Sequence, residues 1–286
     1  MGERVTVFEM GPRDGLQNEA APIATADKIA LVNALSECGL SKIEVTSFVS
    51  AKWVPQLSDA ALVMAGLTRV PGISYTALTP NMKGFEAAKN ASADEIAIFG
   101  AASEAFSKAN INCSIEDSLA RFIPMMAAAK TAGIPVRGYV SCITDCPYEG
   151  AVSPQRTAWV AQALFDMGCY EISLGDTIGQ ATPERLDKTL QAVLDSVPAS
   201  ALAGHYHDTN QRALENIALS LGHGIRVFDA AVGGLGGCPY APGAKGNVAT
   251  EAVAALMQAQ GFETGLDLIK LEKAAQMAKG LVHGAA

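Results

Sequence analysis

Short runs rich in β-branched and aromatic residues alternate with longer stretches of helical period along the chain. The strand-like runs are Val5–Glu9, Lys42–Ser47, Ile73–Leu78, Glu95–Phe99, Val136–Cys142, Tyr170–Leu174, Leu202–His207 and Arg226–Val232. Between them the pattern predicts helices, among them Ala26–Cys38, Ile115–Thr131, Ser153–Asp166, Thr182–Ser196 and Asn210–Leu221. Breaks near Gly39, Gly133, Gly168 and Gly222 end helices, and Pro183 after Thr182 opens one. Eight strands with helices between them predict a (β/α)8 (TIM) barrel, with a doubly wound open sheet as the alternative. No linker divides the chain, so a single domain over residues 1–286 is expected, with a last helix at 266–283 packed outside.

Strand alternation says what faces inward. Glu44 and Thr46 share one face of the second strand; Arg137, Tyr139 and Ser141 share one of the fifth; Glu171 and Ser173 share one of the sixth. The outer face of a barrel strand packs on helices and must be apolar, so these polar sets point into the barrel. Buried Glu44, Arg137 and Glu171 then require paired charges or a bound cation, because an unpaired buried charge is costly. A purely structural ion-pair network satisfies the same requirement.

After the last strand comes AVGGLGGCPYAPGAKGNVATE, Ala231 to Glu251, with six glycines and two prolines. Such a stretch is neither a helix nor a central strand. Connections this long are functional or disordered more often than structural. Cys238 lies in its middle with glycines before it and Pro239 after it. His205 and His207 lie two apart at the end of the seventh strand, so both imidazoles project from one face. Barrel closure sets strand 1 beside strand 8 and strand 8 beside strand 7. Asp14, His205, His207 and Asn247 would then converge at the C-terminal mouth, where active sites of this fold lie. Two imidazoles, a carboxylate and an amide favour Mg²⁺ or Mn²⁺. Zinc with Cys238 as a ligand is the competing reading. Arg13 offers a fixed fork of donors to a developing enolate oxygen, and Cys238 on its loop can give or take a proton. His223 and His283 have no such setting.

Composition narrows the class. The chain is 49% hydrophobic and 17% charged with net charge −8, which argues against a general nucleic-acid or anionic-membrane binder. The low charged fraction points to extensive burial or subunit contacts. No apolar run is long enough for a membrane span, and MGERVTVFEMGPRDG lacks the apolar core of a signal peptide. Six cysteines without a CxxC pair fit a reduced, cytoplasmic protein.

The segments GPRDGLQNE, EVTSFVSAKWVPQLSDA, SEAFSKANINCSIE, RGYVSC, CPYEG, YEISLGDTIG, HDT and GLGGCPYAPGAKGNVATE, spread from about Val5 to Leu268, resemble the 3-hydroxy-3-methylglutaryl-CoA (HMG-CoA) lyase family. The resemblance implies a TIM-barrel metallolyase that uses Mg²⁺ or Mn²⁺ to cleave an acyl-CoA to acetyl-CoA and acetoacetate, and a homodimer. It implies Asp14, His205, His207 and Asn247 as metal ligands, with Arg13 and Cys238 catalytic. Glu44, Asp176 and Glu251 match acidic residues near the family site, and Gln17, Ser47 and Ser173 match polar residues around it. Glu9 falls at a family acidic position and is expected to support Arg13. HYHDTN stands where the mitochondrial enzymes read HCHDTY, Asp145 where a glycine is usual, and Gln211-Arg212 where small or neutral residues are usual. These departures leave the acyl group open between HMG-CoA, its 3-hydroxy-3-isohexenylglutaryl-CoA analogue and citramalyl-CoA. A Claisen-condensing synthase and a non-catalytic CoA- or metal-binding barrel are the rival readings.

Overall fold

A computed structural model describes residues 2–237 and 246–283. Eight parallel strands close into a barrel: β1 (Thr6–Glu9), β2 (Lys42–Ser47), β3 (Ser74–Leu78), β4 (Glu95–Ala101), β5 (Val136–Ser141), β6 (Glu171–Asp176), β7 (Leu202–Tyr206) and β8 (Val227–Ala230). Each strand pairs with the next in sequence, and β8 closes on β1 with Thr6 opposite Val227 and Glu9 opposite Ala230. The barrel excludes the open sheet.

The helices are α1 (Thr25–Ser36), α2 (Ala60–Gly66), α3 (Met82–Asn90), α4 (Glu104–Ile111), α5 (Ile115–Ala132), α6 (Pro154–Asp166), α7 (Pro183–Leu194), α8 (Ala213–Gly222), α9 (Thr250–Ala259) and α10 (Leu268–His283). Their starts are chemically marked. Asn81, Ser103, Ser114 and Ser153 each accept a backbone N–H of the first turn, and Pro154 and Pro183 stand where a helix has no partner for an N–H. Gly133 closes α5 at φ 68°, a conformation that suits glycine. None of the described helices is long and apolar enough to cross a membrane.

The main core lies between strands and helices. Val7, Ile43, Val45, Ile96, Ile98, Val140, Ile172, Leu174 and Phe228 pack there against Leu31, Leu35, Phe122, Val160, Leu164, Leu190 and Ile217. Inside the barrel Phe8, Met10, Leu78, Ala97 and Tyr139 form a second, small apolar cluster. Around it stand the polar side chains that alternation placed inward. Two details depart from the simple pattern. β2 bulges between Glu44 and Thr46, which breaks strict alternation there. Beyond β5 a small antiparallel hairpin, Asp145–Cys146 with Gly150–Ala151, extends the mouth.

Candidate metal centre at the barrel mouth

The site is assembled from strand ends. β1 runs into a single wide helical turn, Gly11–Gly15, that carries Arg13 and Asp14. The turn forms where Arg13, Asp14 and Gly15 all donate backbone N–H groups to the carbonyl of Met10. β7 delivers His205 and, just past its end, His207. Asn247 reaches the same place from the far end of the glycine-rich stretch, where it bridges to His207 in antiparallel fashion. Gly246 N–H donates to the Gly236 carbonyl at 2.9 Å, so the two described ends of that stretch meet. Gly236 sits at φ 94°, and a Cβ there would lie 2.9 Å from the Asn247 amide nitrogen; the close approach demands glycine. Cys238 lies outside the described residues.

Asp14, His205 and His207 offer ligand atoms that all lie within 4.8 Å of one another. The two Nε2 atoms are 3.4 Å apart, and Asp14 Oδ2 is 3.9 Å from His205 Nε2. The Asn247 amide nitrogen donates to Asp14 Oδ2 at 2.9 Å, which sets that side chain beside the other three. The four residues expected from distant parts of the chain therefore meet at one mouth.

Two features test whether a cation fits. His205 Nδ1 lies 3.1 Å from Asp229 Oδ2. An ionised carboxylate only accepts, so Nδ1 carries a proton, which in the neutral imidazole leaves Nε2 as the ligating atom, the arrangement of a metal-bound histidine. Burial, then the neighbouring His205, push His207 down to about 4, which keeps it neutral and ligand-competent near pH 7. Charge balance gives the second test. The connected network contains the guanidiniums of Arg13 and Arg137 against the carboxylates of Asp14, Glu44, Glu171 and Asp229. Counted as ionised, the four carboxylates exceed the two guanidiniums by two, an excess a dication would offset, although burial raises Glu44 toward its neutral form.

Arg13 donates from Nε to Glu44 and from Nη1 to Asp14. Burial alone would weaken its protonation; the charges of Glu44 and Asp14 more than reverse this and hold the guanidinium firmly charged. Asp14 is likewise driven up by burial, but Arg13, the two imidazoles and the Asn247 amide together outweigh this and hold it well below the usual carboxylate range. Glu44 also accepts from the Tyr139 hydroxyl at 3.0 Å.

The remaining expected residues lie around this centre. Ser173 donates to Asp229 Oδ2 at 2.7 Å, behind His205. The Ser47 hydroxyl accepts from the Val49 backbone, Gln17 is half-buried just past the turn, and Glu251 accepts from Gly233 N–H at 2.9 Å. Asp176 ends β6, but its carboxylate accepts from the backbone of Gln180 and Ala181 and so organises its own loop. Burial raises Asp176 to about 6 against those two donors. Glu9 corrects the expectation that it supports Arg13. Its Oε1 accepts from Gly11 and Val232 N–H, both at 2.8 Å, and its Oε2 from the Thr250 hydroxyl at 2.7 Å. It fastens the turn after β1 to the turn after β8 and the start of α9. His223 is a packing residue, paired with Asp187 at 2.7 Å.

Asp229 is the residue that alternation reasoning passed over. It lies opposite His205 in the sheet register and is buried. The available signal was a lone acid in the apolar run RVFDAAV.

A (β/α)8 barrel with a mixed nitrogen–oxygen ligand cluster at its C-terminal mouth is the class that fold and site define. The chain belongs to the HMGL-like family, whose model matches residues 4–278. It is 57% identical over 269 residues to the mitochondrial hydroxymethylglutaryl-CoA lyase of Gallus gallus, covering 94% of this chain and 90% of the relative. It is 56% identical over 274 residues to a 3-hydroxy-3-isohexenylglutaryl-CoA/hydroxymethylglutaryl-CoA lyase of Pseudomonas aeruginosa, covering 96% and 91%. The crystal structure of the HMG-CoA lyase from Brucella melitensis superposes with a TM-score of 0.97 at 59% identity, covering 98% of this chain and 99% of that one.

Proposed function

We propose that this protein is a divalent-metal-dependent carbon–carbon lyase that cleaves HMG-CoA to acetyl-CoA and acetoacetate. The observation that carries the reading is the convergence of Asp14, His205 and His207 at one mouth, in a chain more than half identical to HMG-CoA lyases. Asp14, His205, His207 and Asn247 would hold the cation. When bound, Mg²⁺ or Mn²⁺ supplies Lewis-acid polarisation of substrate oxygens. An all-nitrogen-and-oxygen donor set supports those two ions over zinc.

The reaction breaks the C2–C3 bond and, in net terms, moves one proton from the C3 hydroxyl to C2. Negative charge develops on the thioester oxygen of the acetyl-CoA enolate. Arg13 spends Nε and Nη1 on Glu44 and Asp14, so its position is fixed before substrate arrives, and among the described residues Nη2 is left to receive that oxygen. Asp14, held ionised by Arg13, is suited to holding charge at the centre more than to carrying a proton. Cys238 is the proton donor to the enolate carbon, a role that rests on its place in the glycine-rich motif. Gln17, Ser47, Ser173 and Glu251 are assigned to substrate contact or loop placement on the same resemblance. A homodimer is supported by the 17% charged fraction and by exposed Leu62, Ile123 and Ile269. A cytoplasmic place in leucine degradation is the metabolic setting this activity would serve.

The test offers the purified protein, with Mg²⁺ or Mn²⁺, HMG-CoA, its isohexenyl analogue and citramalyl-CoA, with products identified by mass. Acetyl-CoA and acetoacetate from HMG-CoA, abolished by a chelator and restored by metal, are expected. Faster turnover of the isohexenyl ester would move the substrate assignment to that analogue. Absence of turnover with metal bound would overturn the lyase reading.

A further inference from the structure

Arg137 is the largest fully buried side chain among the described residues, 1% exposed, and it touches none of the proposed ligand residues directly among the hydrogen bonds described. Its guanidinium lies between the rings of Phe8, 4.4 Å from the centroid, and Tyr139, 5.0 Å away. Nε donates to Glu171 at 2.7 Å. Nη2 and Nη1 grip both oxygens of Asp229, at 2.7 and 2.9 Å, and Nη1 also donates to the Tyr139 hydroxyl at 3.0 Å.

Two branches rise from this one cation. In the first, Asp229 passes from Arg137 to His205 Nδ1 and fixes the imidazole whose Nε2 faces the metal centre. In the second, the Tyr139 hydroxyl, accepting from Arg137, donates to Glu44 Oε1, and Glu44 Oε2 accepts from Arg13 Nε. Tyr139 reinforces both, its ring lying edge-on to His205 and 5.6 Å from the Arg13 guanidinium.

We propose that Arg137 and Tyr139 on β5 are positioning residues that register the metal-holding imidazole and the Arg13 guanidinium against each other through one buried fork. The chemical part of this rests on the lyase reading; the geometric part does not. A buried ion pair kept only for packing is replaceable by apolar residues of like volume. Here each carboxylate that Arg137 reaches on the two branches, directly or through Tyr139, has its other oxygen or face committed to the site. The planar fork matters because a lysine ammonium cannot grip both oxygens of Asp229 and still meet Glu171 and Tyr139 in one plane.

The branches are separable by experiment. In Tyr139→Phe, Asp229→Asn and Arg137→Lys proteins, three quantities would be read: the Mn²⁺ dissociation constant by calorimetry, solvent exchange of the Arg13 Nε–H by ¹⁵N NMR, and kcat with HMG-CoA at saturating metal. Asp229→Asn should weaken Mn²⁺ binding by roughly 10- to 100-fold, as loss of an outer partner of a metal-bound histidine does, with Arg13 exchange unchanged. Tyr139→Phe should leave Mn²⁺ affinity nearly unchanged, speed Arg13 exchange and lower kcat about tenfold, the worth of one hydrogen bond to a charged group. Arg137→Lys should move all three. Should Arg137→Lys not fold, the contrast between the other two decides. Equal shifts of Mn²⁺ affinity and Arg13 exchange in Tyr139→Phe and Asp229→Asn, or no shift in either, would overturn the proposal. Calorimetry and exchange need no turnover, so an inactive wild-type enzyme would reject the lyase reading and leave this test intact.

Discussion

The barrel interior holds two charge clusters, a small one at its N-terminal end and a larger one that runs from there up to the C-terminal mouth, and they are built to opposite rules. At the N-terminal end Lys42 opens β2, Glu95 opens β4 and Tyr170 just precedes β6. Lys42 Nζ donates to both oxygens of Glu95, at 2.7 and 2.9 Å, and to the Tyr170 hydroxyl at 2.8 Å. One cation meets one carboxylate. Burial works to raise Glu95, but Lys42 prevails and holds it below the usual carboxylate value. In the larger cluster, carboxylates outnumber guanidiniums and the Nε2 atoms of two imidazoles face each other at 3.4 Å. A closed, neutral cluster answers only to stability. A cluster with surplus carboxylates and converging ligand atoms has the donor set of a cation site. Phe8 separates the two, with Lys42 5.6 Å from its ring centroid and Arg137 4.4 Å away.

The sharpest way to break the contrast is to remove a ligand at the upper end. His205→Ala should lose tight metal binding and roughly a thousandfold in turnover, since Lewis-acid stabilisation is worth several kcal/mol and each 1.36 kcal/mol is tenfold. Calorimetry with Mn²⁺ and steady-state rates check it; full activity with intact metal content would remove His205 from the centre. At the lower end the outcome should invert. Lys42→Met should cost about 2 kcal/mol of stability and leave kcat alone. That is less than the 3–5 kcal/mol typical of breaking a fully buried pair, because the Lys42 side chain is 24% exposed. The folded value of Glu95 is lowered, so its share of stability is present above about pH 4.5 and lost as pH falls below it. That acid-side loss should vanish in Lys42→Met, and Lys42→Met/Glu95→Gln should recover part of the stability. Urea titrations at pH 4 and 7 read both. A fall in kcat would show that the two ends are not independent.

The difference between the ends also explains what could be read from residues alone. The eight strands were legible because apolar outer faces impose a period of two, and barrel closure then placed Asp14 near His205 and His207 across most of the chain. Asn247 was legible because it closes the glycine-rich loop with an amide oxygen to offer and because it matches a ligand position of the resembled family. Asp229 was not, since a single acid in an apolar run reads as an edge or a turn until the register sets it opposite His205. The Lys42–Glu95 cluster was missed for a related reason. Strand-start charges normally face solvent, and only closure brings those of β2 and β4 together. The role of Glu9 lay in its partners, three donors from the turn after β1, the turn after β8 and the start of α9, which no periodicity encodes. The bulge in β2 and the hairpin after β5 depend on local hydrogen bonding that alternation does not carry.

Glu9 is a third arrangement, a buried carboxylate with no cation beside it among the contacts described, and it gives the smallest effect and a pH signature. Burial raises it to about 7 against the donors Thr250, Val232 and Gly11. The folded value lies above the unfolded one, so the folded state binds the proton more tightly between them. Stability from this group is complete below about pH 4.5 and declines as pH rises through 7. The linkage ceiling is about 3 kcal/mol at pH 8, from 2.5 pH units at ~1.36 kcal/mol each. A glutamine can accept from Gly11 and Val232 through its oxygen and donate to Thr250 through its nitrogen, but forfeits the stronger charged hydrogen bonds. Glu9→Gln should therefore be more stable than wild type at pH 8 by about 1 kcal/mol and less stable, or equal, at pH 5. His207 and Asp176 tilt the wild-type pH curve as well, but both proteins share them, so the difference between the two curves isolates Glu9. Parallel curves from pH 5 to 8 would show that Glu9 keeps one charge state across that range, and that burial without a cation is tolerated here by its hydrogen bonds alone.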